Sequence, residues 1–503
     1  MTRNEVLKFL LFNGIALLFT GCCVDCDPSY TGAVSPAPAC EWKPKCLVYK
    51  KACARGPSCM QPSNSEPLNI GNMIDIALWN NPDTYQTWSD ARAAAFNVGV
   101  SESILYPELV LNQTLVASQQ KIGSATSISS AKSTAGGAVV GNNGESNCAQ
   151  NFDFLISALT LEYLLFDFGG RCAVIEAARQ ALYAANWSHN WEVQTVVYNV
   201  LHAYYNHLDA VASYVASQSD LEDAYTTLDA AEKMHQAGVT TIADVLQAKA
   251  NYSGLKLKVE KDYSDVQTTM GKLARELGLP ANTELKIEIL PEDLKLAELE
   301  VGVEELMDAA KEYRPDLSSL QALLLEKEAY LRLAKAEGKP NIIAGGDIED
   351  DYYLNNNNLN SYVYNAALKL EVPIFSGFYH RNRIKQARAE VQAACAKLQS
   401  KEYDILLEVL EAYYDYQTAV SNYAFSEDFL DSSIQNYEVA NANYKHGTGT
   451  ILELLTAQKT LADARAQKID ARTLWLTSLA NIAYQTGTIG AIENGHSCGF
   501  VRR

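Results

Sequence analysis

The spacing of apolar and polar residues predicts long helices over most of this chain. From Leu68 the apolar positions follow helix spacing until Pro107, which ends the stretch. Residues 172–237 contain neither Pro nor Gly, and a helix of that length would extend about 100 Å. Because helices of globular proteins average about three turns, this run predicts a coiled-coil-like rod that ends at Gly238.

Each half of the chain also contains a pair of short segments that read as strands. In the first half, residues 108–117 alternate in polarity, residues 119–150 form a polar loop, and residues 154–166 follow. In the second half a strand pair surrounds the four asparagines at 355–358. In a bilayer only a closed barrel satisfies strand backbones, so four strands predict a barrel shared by several chains. The alternative is a small soluble sheet packed on helices.

The chain repeats its own pattern. Asn81-Pro82-Asp83 returns as Arg314-Pro315-Asp316 at an offset of 233 residues, whereas later matches are offset by 209. These later pairs are Phe166 and Phe375, Ala203-Tyr204-Tyr205 and Ala412-Tyr413-Tyr414, Gly238 and Gly447, and Leu246 and Leu455. A two-copy repeat predicts one body built twice. The fall in offset from 233 to 209 places an insertion of 24 residues in the first copy, between Pro107 and Phe166.

The charge balance and the absence of catalytic motifs reduce the number of possible functions. The net charge is −19 and the pI about 4.9, which argues against a nucleic-acid partner because that role needs a basic face. Plain solubility explains this charge, and so does an acidic lumen that favours cations. The sequence contains no HExxH, no GxSxG and no phosphate-binding glycine loop. We therefore predict no enzyme, no cofactor and no metal site.

The N-terminus predicts export and a lipid anchor. Arg3 and Lys8 precede an apolar run over residues 9–19, which is typical of a signal peptide and too short to span a bilayer as a helix. The run leads into Thr20-Gly21-Cys22, which resembles a bacterial lipobox. We predict that residues 1–21 are removed and that Cys22 carries palmitate. The alternative is an ordinary cleaved signal followed by a chance cysteine.

Seven of the eleven cysteines lie between Cys22 and Cys59. If Cys22 carries lipid, six remain in this segment: Cys23, Cys26, Cys40, Cys46, Cys53 and Cys59. An even number in an exported segment favours disulfides, and a zinc site is the weaker alternative because no histidine lies nearby. Six cysteines allow 15 connectivities, which leaves their pairing open. The other cysteines are scattered and predicted to be unpaired: Cys148, Cys172, Cys395 and Cys498.

The ordered motifs of both copies resemble those of the TolC-type outer-membrane efflux ducts, over about residues 68–489. The first copy supplies Asn80-Asn81-Pro82-Asp83, Gly169-Gly170, Asp244-Val245-Leu246-Gln247-Ala248 and Leu277-Gly278-Leu279-Pro280. The second copy supplies Arg314-Pro315-Asp316-Leu317, Val372-Pro373-Ile374-Phe375 and Tyr444-Lys445-His446-Gly447. No single motif is decisive, but two ordered sets at constant spacing are specific.

This resemblance implies a mostly α fold with a small β part. Four strands per chain would complete the 12-stranded outer-membrane barrel of a homotrimer, on a coiled-coil-like helical cylinder in the periplasm. The implied parts are a signal peptide (1–21), a Cys- and Pro-rich linker (22–67), two repeats (68–289 and 290–489) and a C-terminal tail (490–503). The insertion then falls in the first extracellular loop.

The resemblance also implies a function. The lipid-anchored trimer would conduct substrates passively out of the periplasm, together with a periplasmic adaptor and an inner-membrane pump, and it would carry out no bond chemistry. The alternative function is a lipid-anchored, disulfide-cross-linked structural coiled-coil protein of the cell envelope. The cysteine cluster favours this alternative, whereas the strand pairs and the double repeat favour the duct.

The two glycine breaks are the candidate functional positions. Each is followed by the spacing of a capping box, at Thr241 with Asp244 and at Thr450 with Glu453. Capping the start of a helix is therefore a sufficient explanation for both acids. The resemblance implies that the breaks are periplasmic tips, where Glu453 forms a ring of three acids and Tyr444 with Asp244 latches the closed mouth. The implied tip and adaptor contacts are Gly238, Thr241, Leu246, Gly447, Gly449, Thr450 and Leu455. A second ring acid of the family falls at Thr456 here and a latch arginine at Gly449, so this chain lacks both.

Overall fold

The structure is a computed structural model that describes residues 34–35, 37–42, 67–121, 149–288, 290, 301–354 and 360–489. Contacts between Cα atoms divide the chain into two compact units. One unit holds residues 1–96, 179–324 and 393–503, and the other holds residues 97–178 and 325–392. Each unit therefore draws segments from both copies of the repeat.

The described residues form eight α-helices and four β-strands. In chain order they are α1 (Ile70–Asn80), α2 (Pro82–Glu102), β1 (Glu108–Lys121), β2 (Ala149–Phe166), α3 (Gly170–Gln236), α4 (Ile242–Glu276), α5 (Val303–Tyr313), α6 (Pro315–Ala336), β3 (Asn341–Tyr353), β4 (Ser361–Glu371), α7 (Tyr379–Lys445) and α8 (Ile451–Gln485). The prediction of a mostly α fold with a small β part is confirmed. None of the described helices is long and apolar enough to cross a bilayer.

Helix lengths follow the predicted repeat. The helices α3 and α7 each contain 67 residues, and α4 and α8 each contain 35. The single helical stretch predicted from Leu68 to Pro107 is wrong, because Asn81 separates α1 from α2. The apolar pattern continues across this break, whereas Pro82 opens a new helix at the position where its missing N–H costs least.

The second copy has a matching break at Arg314, which separates α5 from α6. Equivalent polar residues form hydrogen bonds at the two breaks. Asn81 Nδ2 donates to the carbonyl of Glu276 at 3.5 Å, and Arg314 donates to the carbonyl of Gln485 at 3.3 Å. Each acceptor is the last residue of a helix, where carbonyl groups have no partner within the helix. The two copies therefore join the start of one helix to the end of another through the same position, with an amide in one copy and a guanidinium in the other.

Two glycines make these joints possible. Gly278 and Gly487 follow α4 and α8 with φ angles of +70° and +72°, which L side chains rarely adopt. A Cβ atom at Gly278 would lie 2.6 Å from the backbone of Asn80, and one at Gly487 would lie 2.8 Å from the backbone of Tyr313. Backbone conformation and close packing therefore both require glycine here.

The four strands form one antiparallel sheet in the order β1-β2-β3-β4. The register aligns Leu111, Leu159, Ile348 and Tyr364 in one row across the sheet. The next row, on the opposite face, contains Val110, Thr160, Asp347 and Asn365. Because successive strand residues point to opposite faces, the sheet has a largely apolar face and a face that carries three of the four acids of β3, namely Asp347, Glu349 and Asp351.

Candidate functional site

Two helical turns of similar construction form the candidate site. The first turn joins α3 to α4 through Gly238, with φ of +77°, and the second joins α7 to α8 through Gly447, with φ of +73°. In the first, the N–H of Val239 donates to the carbonyl of Met234 at 2.9 Å. The bond from a residue just beyond the helix end back into its last turn is typical of a Schellman ending. The prediction that both glycines terminate helices is confirmed.

Both capping acids bond to the start of their own helix. The N–H of Thr450 donates to Glu453 Oε2 at 3.1 Å, and the N–H of Glu453 donates to Thr450 Oγ1 at 3.3 Å. In the first turn the N–H of Thr241 donates to Asp244 Oδ2 at 3.2 Å. A carboxylate in the first helical turn also interacts favourably with the helix dipole. The predicted helix-start role of both acids is thus present in the structure, and it leaves the role of Glu453 in a ring as a separate proposal.

The two turns together border a half-open cavity of about 440 Å³. The residues that line it are Met234, Val239, Thr240, Asp244, Gln247, Tyr444, Gly447, Gly449, Thr450, Ile451 and Leu452. Tyr444 is 4% exposed and packs with Ile451 and Leu454. Burial raises the pKa of the Tyr444 phenol, and the negative charge of Asp244 raises it further.

Tyr444 and Asp244 share this cavity, but the structure contains no direct hydrogen bond from the tyrosine. The Tyr444 hydroxyl has no hydrogen-bond partner among the described residues. The resemblance implied that this pair latches the closed mouth. The structure places both residues at the same cavity, but it contains no hydrogen bond between the Tyr444 hydroxyl and Asp244. Gly449 stands where the resemblance places a latch arginine. This position is also crowded, because a Cβ at Gly449 would lie 3.0 Å from Cβ of Asn443.

The predicted contact residues differ in exposure. Leu246 is exposed, whereas Leu455 is half-buried and packs against the cluster of Tyr444, Ile451 and Leu454. Apolar side chains that sequence reasoning did not single out are exposed as well: Val239, Ile242 and Leu452. Thr456, at the place of the missing second acid, donates its hydroxyl to the carbonyl of Leu452 at 2.7 Å.

A buried polar layer between helices was not predicted. Gln458 of α8 donates to Thr227 Oγ1 of α3 at 2.6 Å, and Asn251 of α4 donates to Gln458 Oε1 at 3.5 Å. Two turns further along α8, Arg465 forms ion pairs with Asp220 at 2.5 Å and Asp223 at 3.6 Å. The signal in the sequence was the spacing of three and four residues between Asp220, Asp223 and Thr227 of α3. No group of described residues could hold a metal ion.

Residues 37–42 are held against the helices by a second buried polar site. The N–H of Trp42 donates to Asn190 Oδ1 at 2.6 Å, and Asn190 Nδ2 donates back to the carbonyl of Trp42 at 2.8 Å. His189 Nε2 lies 3.1 Å from the carbonyl of Cys40, and Nδ1 lies 3.0 Å from Thr87 Oγ1. Because a carbonyl only accepts, Nε2 carries the proton and Nδ1 accepts from Thr87.

Of the six clustered cysteines, Cys40 alone is described. Cys23, Cys26, Cys46, Cys53 and Cys59 lie outside the described residues, as do Cys22 and the signal peptide. The disulfides and the lipid anchor therefore stay predictions. Cys172 and Cys395 are free thiols, as predicted for the scattered cysteines, whereas Cys148 and Cys498 lie outside the described residues.

We expect the contact between His189 and the carbonyl of Cys40 to weaken in acid. Burial lowers the pKa of His189 from 6.5 to about 4, and the bond to Cys40 opposes this only in part. The unfolded state therefore takes up a proton before the folded state does, and stability falls as the pH drops from 6.5 towards 4 at about 1.4 kcal/mol per pH unit. The free energy of unfolding measured against pH should show this slope, and His189→Gln should remove it. An identical slope in both proteins would contradict the assignment.

Comparisons with known proteins identify similar chains. The family model described as outer membrane efflux protein matches residues 73–279 and 306–488. Protein CyaE of Bordetella pertussis is 26% identical over 482 residues, which cover 93% of this chain and 92% of that protein. Outer membrane protein TolC of Escherichia coli is 22% identical over 443 residues, which cover 85% and 84%. The Campylobacter jejuni CmeC outer membrane channel superposes with a TM-score of 0.73 at 17% identity, covering 91% and 96% of the two chains.

Proposed function

Because the chain belongs to the outer membrane efflux protein family, whose members are channels rather than enzymes, we propose that it forms the outer-membrane exit duct of a tripartite efflux or secretion system. The duct conducts substrates passively from the periplasm to the exterior. Energy comes from its partners, a periplasmic adaptor and an inner-membrane pump. The protein contributes a water-filled path and a gate.

The sheet is the observation that carries this proposal. Among the strands that the structure describes, the outer strands β1 and β4 each pair on one side only, and unpaired strand edges tend to pair with other strands. One face presents leucine, isoleucine and tyrosine, including the exposed Leu111, Ile348 and Tyr364. In a bilayer a sheet of this kind has to close on itself. Three copies would close it as a barrel of 12 strands, with the apolar face towards lipid and Asp347, Glu349 and Asp351 of β3 towards the lumen.

Assembly and conductance test the proposal directly. Purified protein in detergent should cross-link as a trimer, and its insertion into a planar bilayer should produce discrete conductance steps. Both results follow from the shared barrel, because a single chain with four strands cannot seal its edges. A soluble monomer that produces no conductance would overturn the duct and favour the structural cross-linking role considered above.

The partner surface is proposed to lie at the two helical turns. Their exposed side chains include Leu246 and also Val239 and Leu452, which line the same cavity, and apolar side chains gathered on an exposed surface are typical of an interaction site. The proposed adaptor contacts are the predicted tip residues Gly238, Thr241, Leu246, Gly447, Gly449, Thr450 and Leu455. Of these, Gly449 and Leu455 are half-buried, whereas the other five are exposed.

The proposed location is the outer membrane, with lipid on Cys22 and the helices in the periplasm. The proposed division of the chain is the one predicted from its sequence, with a signal peptide over 1–21, a linker over 22–67, repeats over 68–289 and 290–489 and a tail over 490–503. Replacing Cys22 with Ser should abolish metabolic labelling with palmitate and leave an unprocessed precursor. Unchanged labelling would show that Cys22 is not the acylated residue.

A further inference from the structure

The cavity between the two helical turns has the composition of a ligand site. We propose that it binds a small organic cation, an alkylammonium or alkylguanidinium group. This inference concerns a cavity within one chain, so it goes beyond the duct and does not depend on how many copies assemble.

Unsatisfied polar atoms are the first observation that supports the site. The Tyr444 side chain is more than nine-tenths buried, and its hydroxyl has no partner among the described residues. The hydroxyl of Thr240, which lines the same cavity, is also buried without a hydrogen bond within the described chain. Buried polar groups nearly always have a partner. Two such hydroxyls beside one cavity therefore indicate a group that is bound there.

The charge in the cavity selects a cation. Asp244 is the one carboxylate among the lining residues, and none of them is basic. One of its oxygens, Oδ2, accepts the N–H of Thr241. Its charge also reaches Tyr444, since it contributes to the raised pKa of that phenol. At the rim, Glu453 Oε2 would lie 3.3 Å from a Cβ at Gly449, so a second negative charge borders the cavity.

The walls and the volume select an organic cation over a metal ion. Met234, Val239, Ile451 and Leu452 supply apolar surface, and an aromatic ring such as that of Tyr444 attracts cations to its face. The volume of about 440 Å³ lies within the range of small-molecule sites. Calcium requires about six oxygen ligands, and no described group of His, Cys, Asp and Glu could hold a metal.

An occupant would join the two turns. Thr240 lies in the turn between α3 and α4 and Asp244 in the first turn of α4, whereas Tyr444 comes from the end of α7. A planar guanidinium carries several donors in a fixed fork, so it can bond to Asp244 and to Tyr444 at once. The cation then supplies the link that these two side chains do not make directly.

The test is calorimetric titration of the purified full-length protein with n-butylguanidinium chloride. A ligand of this size is expected to bind with a Kd of about 1 mM. The neutral isostere n-butylurea should bind at least about tenfold more weakly, since it lacks the charge that Asp244 attracts. Asp244→Asn should weaken n-butylguanidinium binding about tenfold or more, and Tyr444→Phe about fivefold, the effect expected for one hydrogen bond.

The variant Glu453→Gln locates the ligand. Binding to the proposed cavity should weaken by about threefold or less, a smaller loss than in Asp244→Asn, because Glu453 lies at the rim whereas Asp244 lies in the lining. Circular dichroism should confirm that all three variants remain folded. The proposal is overturned if n-butylurea binds equally well, if no saturable heat appears, or if Glu453→Gln abolishes binding while Asp244→Asn preserves it. The last result would place the cation at an acidic ring instead, and would leave the duct untouched.

Discussion

Replacing Arg314 with Ala should destabilise the protein by about 3–5 kcal/mol, the cost expected when one partner of a buried ion pair is removed. The Arg314 side chain is 1% exposed and contacts Asp316 at 2.8 Å and Glu408 at 2.7 Å. It also donates to Gln485 Oε1 at 2.9 Å and lies over the ring of Trp191. Truncation would leave two carboxylates with Lys401 as the remaining nearby cation, 3.1 Å from Asp316.

Thermal unfolding followed by circular dichroism would measure this loss. The matched control is Arg275→Ala, since Arg275 is 83% exposed and pairs with its neighbour Glu276 at 3.6 Å. A surface pair of this kind contributes about 0–1 kcal/mol. If the two variants unfold at the same temperature, the buried network of Arg314 does not stabilise the protein.

The network also predicts how Arg314→Ala responds to acid. Burial acts to raise the pKa of Asp316, but the hydrogen bond and charge of Arg314, with help from Lys401, hold it below its ordinary value. A lowered carboxyl pKa contributes stability above the unfolded pKa, and that stability is lost as the pH falls through the folded value. The difference in stability between the two proteins should therefore shrink in acid.

Glu453→Gln should weaken cation selectivity and block by multivalent cations while the protein stays folded. In the proposed trimer three copies of Glu453 surround the narrowest point, and charges gathered in a constriction raise the local cation concentration. Gln preserves the size of the side chain and most of its hydrogen bonding. The loss in stability should be limited to the helix-dipole contribution of about 0.3–1 kcal/mol.

Reversal potentials of single channels under a salt gradient would measure the selectivity. Thr450→Ala is the matched control, because it removes the hydroxyl that accepts the Glu453 N–H and leaves the charge in place. It should cost about 1 kcal/mol of stability and leave selectivity unchanged. If Glu453→Gln lowers stability and leaves selectivity as it was, then Glu453 is a helix start alone.

Local features of the sequence predicted local features of the structure. The helix ends at Gly238 and Gly447 were predictable because a helix commonly ends in a residue with a left-handed backbone conformation, and glycine adopts that conformation most readily. The capping role of Asp244 and Glu453 was predictable because each acid lies three residues after a threonine, Thr241 or Thr450. The break at Asn81 was missed because apolar periodicity continues through it. Pro82 was the available signal, but proline is compatible with the first turn of a helix as well as with a break.

Contacts between distant helices could not be read in the same way. The pairing of Gln458 with Thr227 depends on the relative register of two long helices, which a sequence pattern does not fix. The bond from His189 to Cys40 joins residues 149 positions apart. Whether the Tyr444 hydroxyl meets Asp244 depends on how the two turns pack against each other, which a sequence pattern does not fix. Periodicity predicted where the helices lie, and side-chain packing decided which polar groups meet.

The pairing of β2 with β3 has a consequence for how the protein reaches its membrane. The two strands are neighbours in the sheet, yet β2 ends at Phe166 and β3 begins at Asn341. A chain exported from its N-terminus delivers β2 first, and four helices must follow before its partner arrives. Contacts of such long sequence separation form slowly, and an open strand edge attracts other extended chains. During translocation, any chaperone or stray peptide that binds β2 competes with β3 for the same edge, so the timing of export governs the yield of finished protein.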